Sequence, residues 1–348
     1  MYKRQLWNIV TTVDAYLGAG FTPAEILESI HPSLVASTQG TGFGGMMSMR
    51  KLYLDRFLNH EIPTDILQEA LPNVVAAHVM QSYIGGYGNM IQPVSACATA
   101  AVSLEEGVDK IALGKADFVV TGAIDDIGVE SVIGFGNMNA TANSEEMYGK
   151  GIDARFFSRA NDRRRGGFLE SQGGGTILVT RGDIAEKLGL PVAAVVGFIH
   201  SYADGAHTSI PRDDHMVWVR KPLRIGGGED EFGRETAGRP VKAGLATSLG
   251  FGHVSGFVAL VHPGAFEAAV AKADGEAALE AWRERANARL AAGQRHLEEG
   301  MMGRAALYEP IDNRRFREDH RGYDHHEVEK AMLLNPDARL GADGYYEA

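Results

Sequence analysis

Residues Gln92 to Val108 read QPVSACATAAVSLEEGV, and the character of the chain changes inside that stretch. Upstream, Gly85-Gly86-Tyr87-Gly88 is too rich in glycine for a helix interior, and Met90 to Ser95 reads as a short extended segment. Downstream of Ala98, the residues Ala100, Ala101, Leu104, Val108 and Ile111 recur at helical spacing until Gly114 stops the pattern. Cys97 is therefore expected at a strand-to-helix junction among small neighbours that leave room for a carbonyl to approach. A helix head offers unpaired N–H groups and the positive end of the dipole, which favour a thiolate. The residues alone leave two readings open: an activated nucleophile, or a small buried hydrophobe.

Strand and helix signals alternate outward from this point. Leu6 to Leu17 has helical periodicity, and Thr22, Pro23 and Glu25 read as an N-cap, a first-turn proline and an early acid for a helix ending near Ile30. Leu34 to Ser37 is a strand candidate running into the glycine-rich turn Gly40 to Gly45, with helices expected over Met46 to Leu58 and Ile66 to Gln81. Further strands are expected at Phe118 to Thr121, Thr176 to Thr180, Val192 to Ile199, Ala243 to Leu249 and Gly256 to Val261, with a short helix at Ile184 to Leu188. Such alternation points to an α/β layered fold. After Pro263 a long amphipathic helix, about Ala265 to Leu297 with a break at Asp274-Gly275, leads into a polar tail. Arg212 to Arg239 reads as an exposed loop or insertion.

The chain has 348 residues, 45% of them hydrophobic and 23% charged, as in ordinary globular proteins. Its formal charge of −11 disfavours nucleic acid and anionic membranes as partners. A single cysteine cannot form an internal disulfide, which fits a reducing cytoplasm. The apolar run at Leu6 to Leu17 is interrupted by Asn8 and Asp14 and makes a poor signal peptide, and no run reaches membrane-spanning length. No metal is expected, since His325-His326 lacks partners at ligand spacing.

The segment Gln92 to Val108 resembles the nucleophile segment of the condensing enzymes, particularly those of bacterial type I fatty acid synthases. Ser37 to Gly45 (STQGTGFGG), Phe135 to Met138, Phe157 to Arg159, Arg165 to Phe168 and Ser248 to Gly252 resemble that family as well and follow its order. The resemblance covers about residues 1–262 as a β-ketoacyl synthase-like domain, with residues 263–348 as a C-terminal helical extension and polar tail. It implies a thiolase-like layered fold and an acyltransferase (3-oxoacyl-[acyl-carrier-protein] synthase) that condenses acyl and malonyl thioesters in fatty acid biosynthesis. It further implies a homo-oligomer working with an acyl carrier protein and the other synthase domains. No cofactor is expected in this domain itself; phosphopantetheine arrives on the carrier. Carried over by resemblance, Cys97 is the nucleophile and an oxyanion donor through its backbone, and Phe251 is the second oxyanion donor and the gate of the acyl pocket. Gly250 and Gly252 let main chain approach the substrate.

Two motifs of that family, His-Gly-Thr-Ser-Thr and Gly-His-x-Lys-Gly, do not occur in this sequence. The chain passes from His207-Thr208-Ser209-Ile210-Pro211 directly to Met216-Val217-Trp218-Val219-Arg220, so an internal deletion near 211–216 is expected, together with a start that lacks the usual first strand and helix. Enolate stabilisation then has no evident source, and condensation should be impaired unless His200, His207 or His253 substitutes. Two other readings stay in view. A noncatalytic assembly or dimerisation fragment would need only the fold. A dinucleotide-binding protein is raised by Gly40, Gly42 and Gly45, which satisfy G-x-G-x-x-G.

Overall fold

The computed structural model describes residues 3–60, 66–159, 162–203, 242–251 and 254–305, and two short strands at 339–340 and 346–347. In chain order the elements are α1 (Lys3–Ala19), α2 (Pro23–Leu27), β1 (Val35–Ser37), α3 (Met46–Leu54), α4 (Ile66–Ala70), α5 (Val74–Val79) and α6 (Thr99–Ala112). Then come β2 (Phe118–Asp125), α7 (Val129–Asn137), α8 (Ser144–Gly149), β3 (Gly173–Thr180), α9 (Gly182–Leu188), β4 (Val195–Ala203), β5 (Ala243–Gly250) and β6 (Val254–Val261). Two helices, α10 (Gly264–Ala273) and α11 (Glu276–Met301), and the strands β7 (Arg339–Leu340) and β8 (Tyr346–Glu347) complete the order.

Strand β2 organises the first sheet, pairing in parallel with β1 and antiparallel with β3. Successive side chains of a strand point to opposite faces, and both faces of β2 are covered. Phe118 and Val120 enter the largest core with Tyr16, Phe21, Ile26 and Trp282, while Val119 joins Ala36 and Ala116 beneath Ile111 of α6. This double burial explains why β2 reads as a continuous apolar run rather than an alternating one. Tyr16 lies at the centre of the aromatic packing, with ring centroids 5.5 Å from Phe21 and 5.6 Å from Tyr83, both edge-on.

Helix α6 lies between two sheets. On one side Gly107 lets the strand approach, since a Cβ there would stand 2.5 Å from Thr121 Cγ2. On the other, α6 packs against the second sheet, of order β4-β6-β5 and wholly antiparallel. There a Cβ on Gly256 would stand 2.5 Å from Ala101 Cβ. β6 is central in this sheet, whereas β5 is an edge strand with Leu245 and Leu249 exposed.

The helices after Pro263 pack on the first sheet's outer layer. Phe266 and Trp282 meet edge-on at 4.9 Å, and Trp282 Nε1 donates to the Leu190 carbonyl at 3.0 Å. Arg285 and Arg289 of α11 donate to the Glu186 and Leu188 carbonyls at the C-terminus of α9, where cations complement the helix dipole. At the α1–α11 crossing the backbones touch: a Cβ on Gly293 would stand 2.3 Å from the Leu17 carbonyl oxygen.

Several expectations need correcting. The helix expected over Ile66 to Gln81 is broken into α4 and α5, because Pro72 cannot donate to a helical ladder. Helix α2 ends at Leu27 rather than Ile30, although Thr22 is the expected N-cap, and Glu25, expected only as an early acid, closes a reciprocal cap with it. Helices α7 and α8 were not foreseen. The break at Asp274-Gly275 is present, with Gly275 at φ 91°. The expected insertion at Arg212 to Arg239, the junction near 211–216, and His325-His326 lie outside the described residues.

Candidate active site

Cys97 sits in a single 3₁₀ turn, Ala96–Ala98, that leads directly into α6, and its side chain is exposed. Ala96 adopts φ 46°, a left-handed conformation uncommon for a residue with a Cβ. The turn is braced from within: Ser95 N–H donates to Thr99 Oγ1 at 2.9 Å, and that hydroxyl donates to the Ala96 carbonyl at 2.7 Å. Thr99 is itself buried. The reading of Cys97 as an inert core residue is thereby excluded on exposure.

Main chain reaches the turn from two sides. From the second sheet, Gly250 ends β5 against it: a Cβ there would stand 2.6 Å from the Ser95 oxygen and 3.3 Å from Ala98 N. From the first sheet comes the glycine-rich loop after β1. A Cβ on Gly40 would stand 2.6 Å from the Pro93 oxygen, and one on Gly42 3.1 Å from the Ala96 oxygen. Thr41 N–H donates to the Pro93 carbonyl at 3.3 Å. Gly252 lies outside the described residues.

Phe251 stacks on Phe135 at 5.8 Å and 28°. Phe135 also meets Phe43 at 5.9 Å and Phe168 at 5.1 Å, both edge-on. Four of the segments singled out in the sequence thus contribute one ring each to a single cluster around residue 135. Offset and edge-on contacts of this kind add about 0.5–1.5 kcal/mol each beyond area burial.

Asp125, at the end of β2, was missed. Its Oδ1 accepts from Thr41 Oγ1 at 2.9 Å, Gly42 N–H at 3.0 Å and Phe43 N–H at 2.9 Å. These bonds occupy the loop donors that a dinucleotide pyrophosphate would need, and they place a carboxylate where its phosphates would lie. The G-x-G-x-x-G pattern is a carboxylate-bound loop here, and the dinucleotide reading falls.

Of the three histidines, His207 and His253 lie outside the described residues. His200, on β4, is engaged elsewhere: its Nδ1 lies 2.7 Å from Glu105 Oε1, which also accepts Ser201 N–H at 3.0 Å. Burial pushes the Glu105 carboxyl up, but the bonds from Ser201 and His200 outweigh it and hold the group below its ordinary value. Glu105 lies eight residues beyond Cys97, about 12 Å of helical rise, so His200 straps β4 to α6 rather than facing the thiol. Asp162 is compensated locally by Arg159 and Arg164, which lower its pKa. Among the described residues there is no metal-holding group of three or more His, Cys, Asp or Glu side chains. No helix among them is long and apolar enough to cross a membrane.

Comparison with known proteins gives a consistent result. A family model described as Beta-ketoacyl synthase, N-terminal domain, matches residues 1–185, just over half of the chain. The match begins at residue 1. The chain is 37% identical over 207 residues to the fatty acid synthase subunit alpha of Candida albicans, covering 59% of this chain and 11% of that protein. Identity to the Saccharomyces cerevisiae subunit alpha is 35% over 207 residues, again 59% of this chain and 11% of the relative. The chain therefore spans about a tenth of the length of these curated relatives. They are fungal, and the bacterial type I origin expected from the sequence finds no support in them. Among solved structures, the noncanonical ketosynthase FabY from P. aeruginosa superimposes with a TM-score of 0.74 at 18% identity, over 87% of this chain and 64% of that one. A β-ketoacyl synthase from Burkholderia phymatum gives 0.53 at 19% identity, over 62% and 50%. Both likenesses carry the fold, which is thiolase-like as expected.

Proposed function

Because this chain belongs to the β-ketoacyl synthase family, we propose that Cys97 accepts the acyl group in the condensing step of fatty acid biosynthesis. The observation that carries the reading is the exposed thiol at the head of α6, approached by backbone from both sheets. In the proposed half-reaction the sulfur attacks a thioester carbonyl. A carbon–sulfur bond to Cys97 forms, the one to the carrier's phosphopantetheine breaks, and the leaving thiolate takes the proton. Backbone N–H groups of Cys97 and Phe251 are proposed to hold the oxyanion, where preorganised donors count for most. Gly250 and Gly252 let that main chain close on the substrate, and Phe251 gates the acyl pocket.

Completing the condensation requires loss of carbon dioxide from a malonyl thioester, attack of the resulting enolate on the acyl carbonyl, and release of the Cys97 sulfur. The two histidine-bearing motifs associated with that half-reaction are missing from the sequence, so the proposal is acylation without efficient condensation. The partners proposed are an acyl carrier protein and the remaining synthase domains, in the cytoplasm. Residues 1–262 are taken as the incomplete synthase-like part and 263–348 as its helical extension. Self-acylation by a medium-chain acyl-coenzyme A, followed by intact-mass spectrometry, tests the first half. Label on the wild type and none on Cys97→Ser supports it, whereas label that survives the substitution overturns it. Addition of malonyl-coenzyme A tests the second half, with at most trace 3-oxoacyl product expected.

A noncatalytic assembly role is favoured by one further observation. Tyr53 in the last turn of α3, and Phe57 and Leu58 in the π-helical turn Asp55–Asn59 that continues it, are 56%, 67% and 70% exposed, with the Tyr53 and Phe57 rings stacked. An apolar surface of this kind suits self-association, and sedimentation would show a homo-oligomer if that role holds.

A further inference from the structure

We propose that Asp125 is a positioning residue for Cys97, acting through the glycine-rich loop; the inference rests on the reading of Cys97 as acyl acceptor. Asp125 does not contact the turn by hydrogen bonds of its own. Its Oδ1 gathers three donors from successive residues of the loop, Thr41 Oγ1, Gly42 N–H and Phe43 N–H. Oδ2 receives only a second share of Gly42 N–H, at 3.1 Å. The Thr41 hydroxyl, while donating to Asp125, accepts Gly44 N–H at 3.2 Å, so one carboxylate fixes four consecutive loop residues. A carboxylate holding neutral donors makes bonds roughly twice as strong as neutral pairs.

The loop so fixed is the wall against which the nucleophile turn leans. Gly42 lies tightly against the Ala96 oxygen, 3.1 Å from a built Cβ, and Gly40 against the Pro93 oxygen and Thr99 Cγ2 at 2.6 and 2.4 Å, separations that admit no Cβ. Ala96 is the strained residue of the turn, at φ 46°, and a residue held in a sparsely populated region persists only when its surroundings over-determine it. Thr99 braces the turn from the helix side, and the Asp125-bound loop braces it from the other. With the loop released, Ala96 is free to relax to negative φ, which swings the Cys97 sulfur off the helix head. Phe43, the last donor to Oδ1, also leads into the Phe135–Phe251 cluster, so the same clasp sets the position of the proposed gate.

The distribution of bonds separates geometry from charge. In Asp125→Asn the amide oxygen can take the place of Oδ1 and keep all three donors, whereas Asp125→Ala keeps none. Acylation of Cys97 by decanoyl-coenzyme A should slow at least ~10-fold in Asp125→Ala and stay within ~3-fold of wild type in Asp125→Asn, given that an ångström of misplacement costs about a hundredfold. Hydrogen exchange of the 94–99 amides should rise in Asp125→Ala and be restored in Asp125→Asn. Should Asp125→Ala fail to fold, Thr41→Val, which removes one donor and the acceptor for Gly44 from a buried, near-isosteric site, should give an intermediate slowing with the same exchange signature. A wild-type rate in folded Asp125→Ala, or equal slowing in the alanine and asparagine variants, overturns the proposal. If the wild type itself takes no label at Cys97, the acceptor reading fails. Exchange then decides on its own, and unchanged protection of residues 94–99 in Asp125→Ala rejects the clasp.

Discussion

Replacing Gly250 by alanine puts a methyl group where the proposed site has least room. The new Cβ would stand 2.6 Å from the Ser95 oxygen, 3.3 Å from Ala98 N and 3.4 Å from Ala96 Cβ. Close carbon–oxygen contacts settle at about 3.3–3.6 Å, so the backbone must part by roughly 0.7–1 Å. The turn is the stiffer partner, held by two hydrogen bonds through buried Thr99, whereas β5 is an exposed edge strand. The strand end therefore yields and carries Phe251 away from Cys97. Overpacking costs about 1–3 kcal/mol in a closed core, and an edge strand that can move should bring the loss of stability to about 1 kcal/mol. The rate should suffer more, because a displacement near 1 Å is worth up to about a hundredfold. Time-resolved intact-mass spectrometry of Cys97 acylation, read beside a thermal melt, separates the two effects. An alanine variant that acylates at the wild-type rate with an unchanged melt would refute the contact as a determinant of the site.

Other perturbations test the scaffold. The Tyr16 hydroxyl is buried with no hydrogen-bond partner among the described residues, and burial, with Tyr83 beside it, pushes the phenol well above its ordinary value. Because an unsatisfied buried group costs about 1–3 kcal/mol, Tyr16→Phe should be neutral or raise the urea midpoint, and a clear loss of stability would show that the hydroxyl has a partner. Trp282→Ala should cost about 3–5 kcal/mol by emptying the contact with Phe266 and breaking the bond to Leu190; chemical denaturation measures it. Glu105 has a lowered folded pKa, so its contribution is fully present above the ordinary 4.5 and is lost as pH falls through that value and the lower folded one. Melting temperature against pH should therefore fall more steeply on the acid side for wild type than for Glu105→Gln, and parallel curves would remove the His200–Glu105 strap from the account.

Local patterns were read well and distant pairings were not. The helical spacing after Cys97, the cap at Thr22 and the break at Gly275 all follow from neighbours within a turn or two of the chain. Asn8 shows the opposite case. As a polar residue in an apolar stretch it reads as an interruption, yet it is buried and donates to Gln39 Oε1 at 3.1 Å and to the Val75 carbonyl at 3.2 Å. Gln39 in turn donates to Thr12 and Thr176. A network that joins α1, α5, β3 and the loop after β1 leaves no periodic trace, because each member's partner lies tens of residues away. Asp125 escaped notice for the same reason: its ligands lie 82 to 84 positions upstream. Pro72 was a local signal, overridden by the apolar spacing on either side of it. Helix α7 carries Gly134 and Gly136, neither with any atom within 4 Å of a built Cβ, and glycines in that density hid the helix.

The crossing of α1 and α11 has a temporal side. Arg289 and Glu25, which meet at 2.9 Å beside it, are 264 positions apart, so at a synthesis rate of about 5–20 residues per second the first partner waits roughly 13 to 53 s for the second. Throughout that interval Val13, Tyr16 and Phe21 leave the ribosome without the tryptophan-bearing layer that eventually roofs them. Production of this protein in a cell should therefore depend on holdase chaperones while the residues between these two helices are being made, and slowing the ribosome should lower the yield rather than raise it.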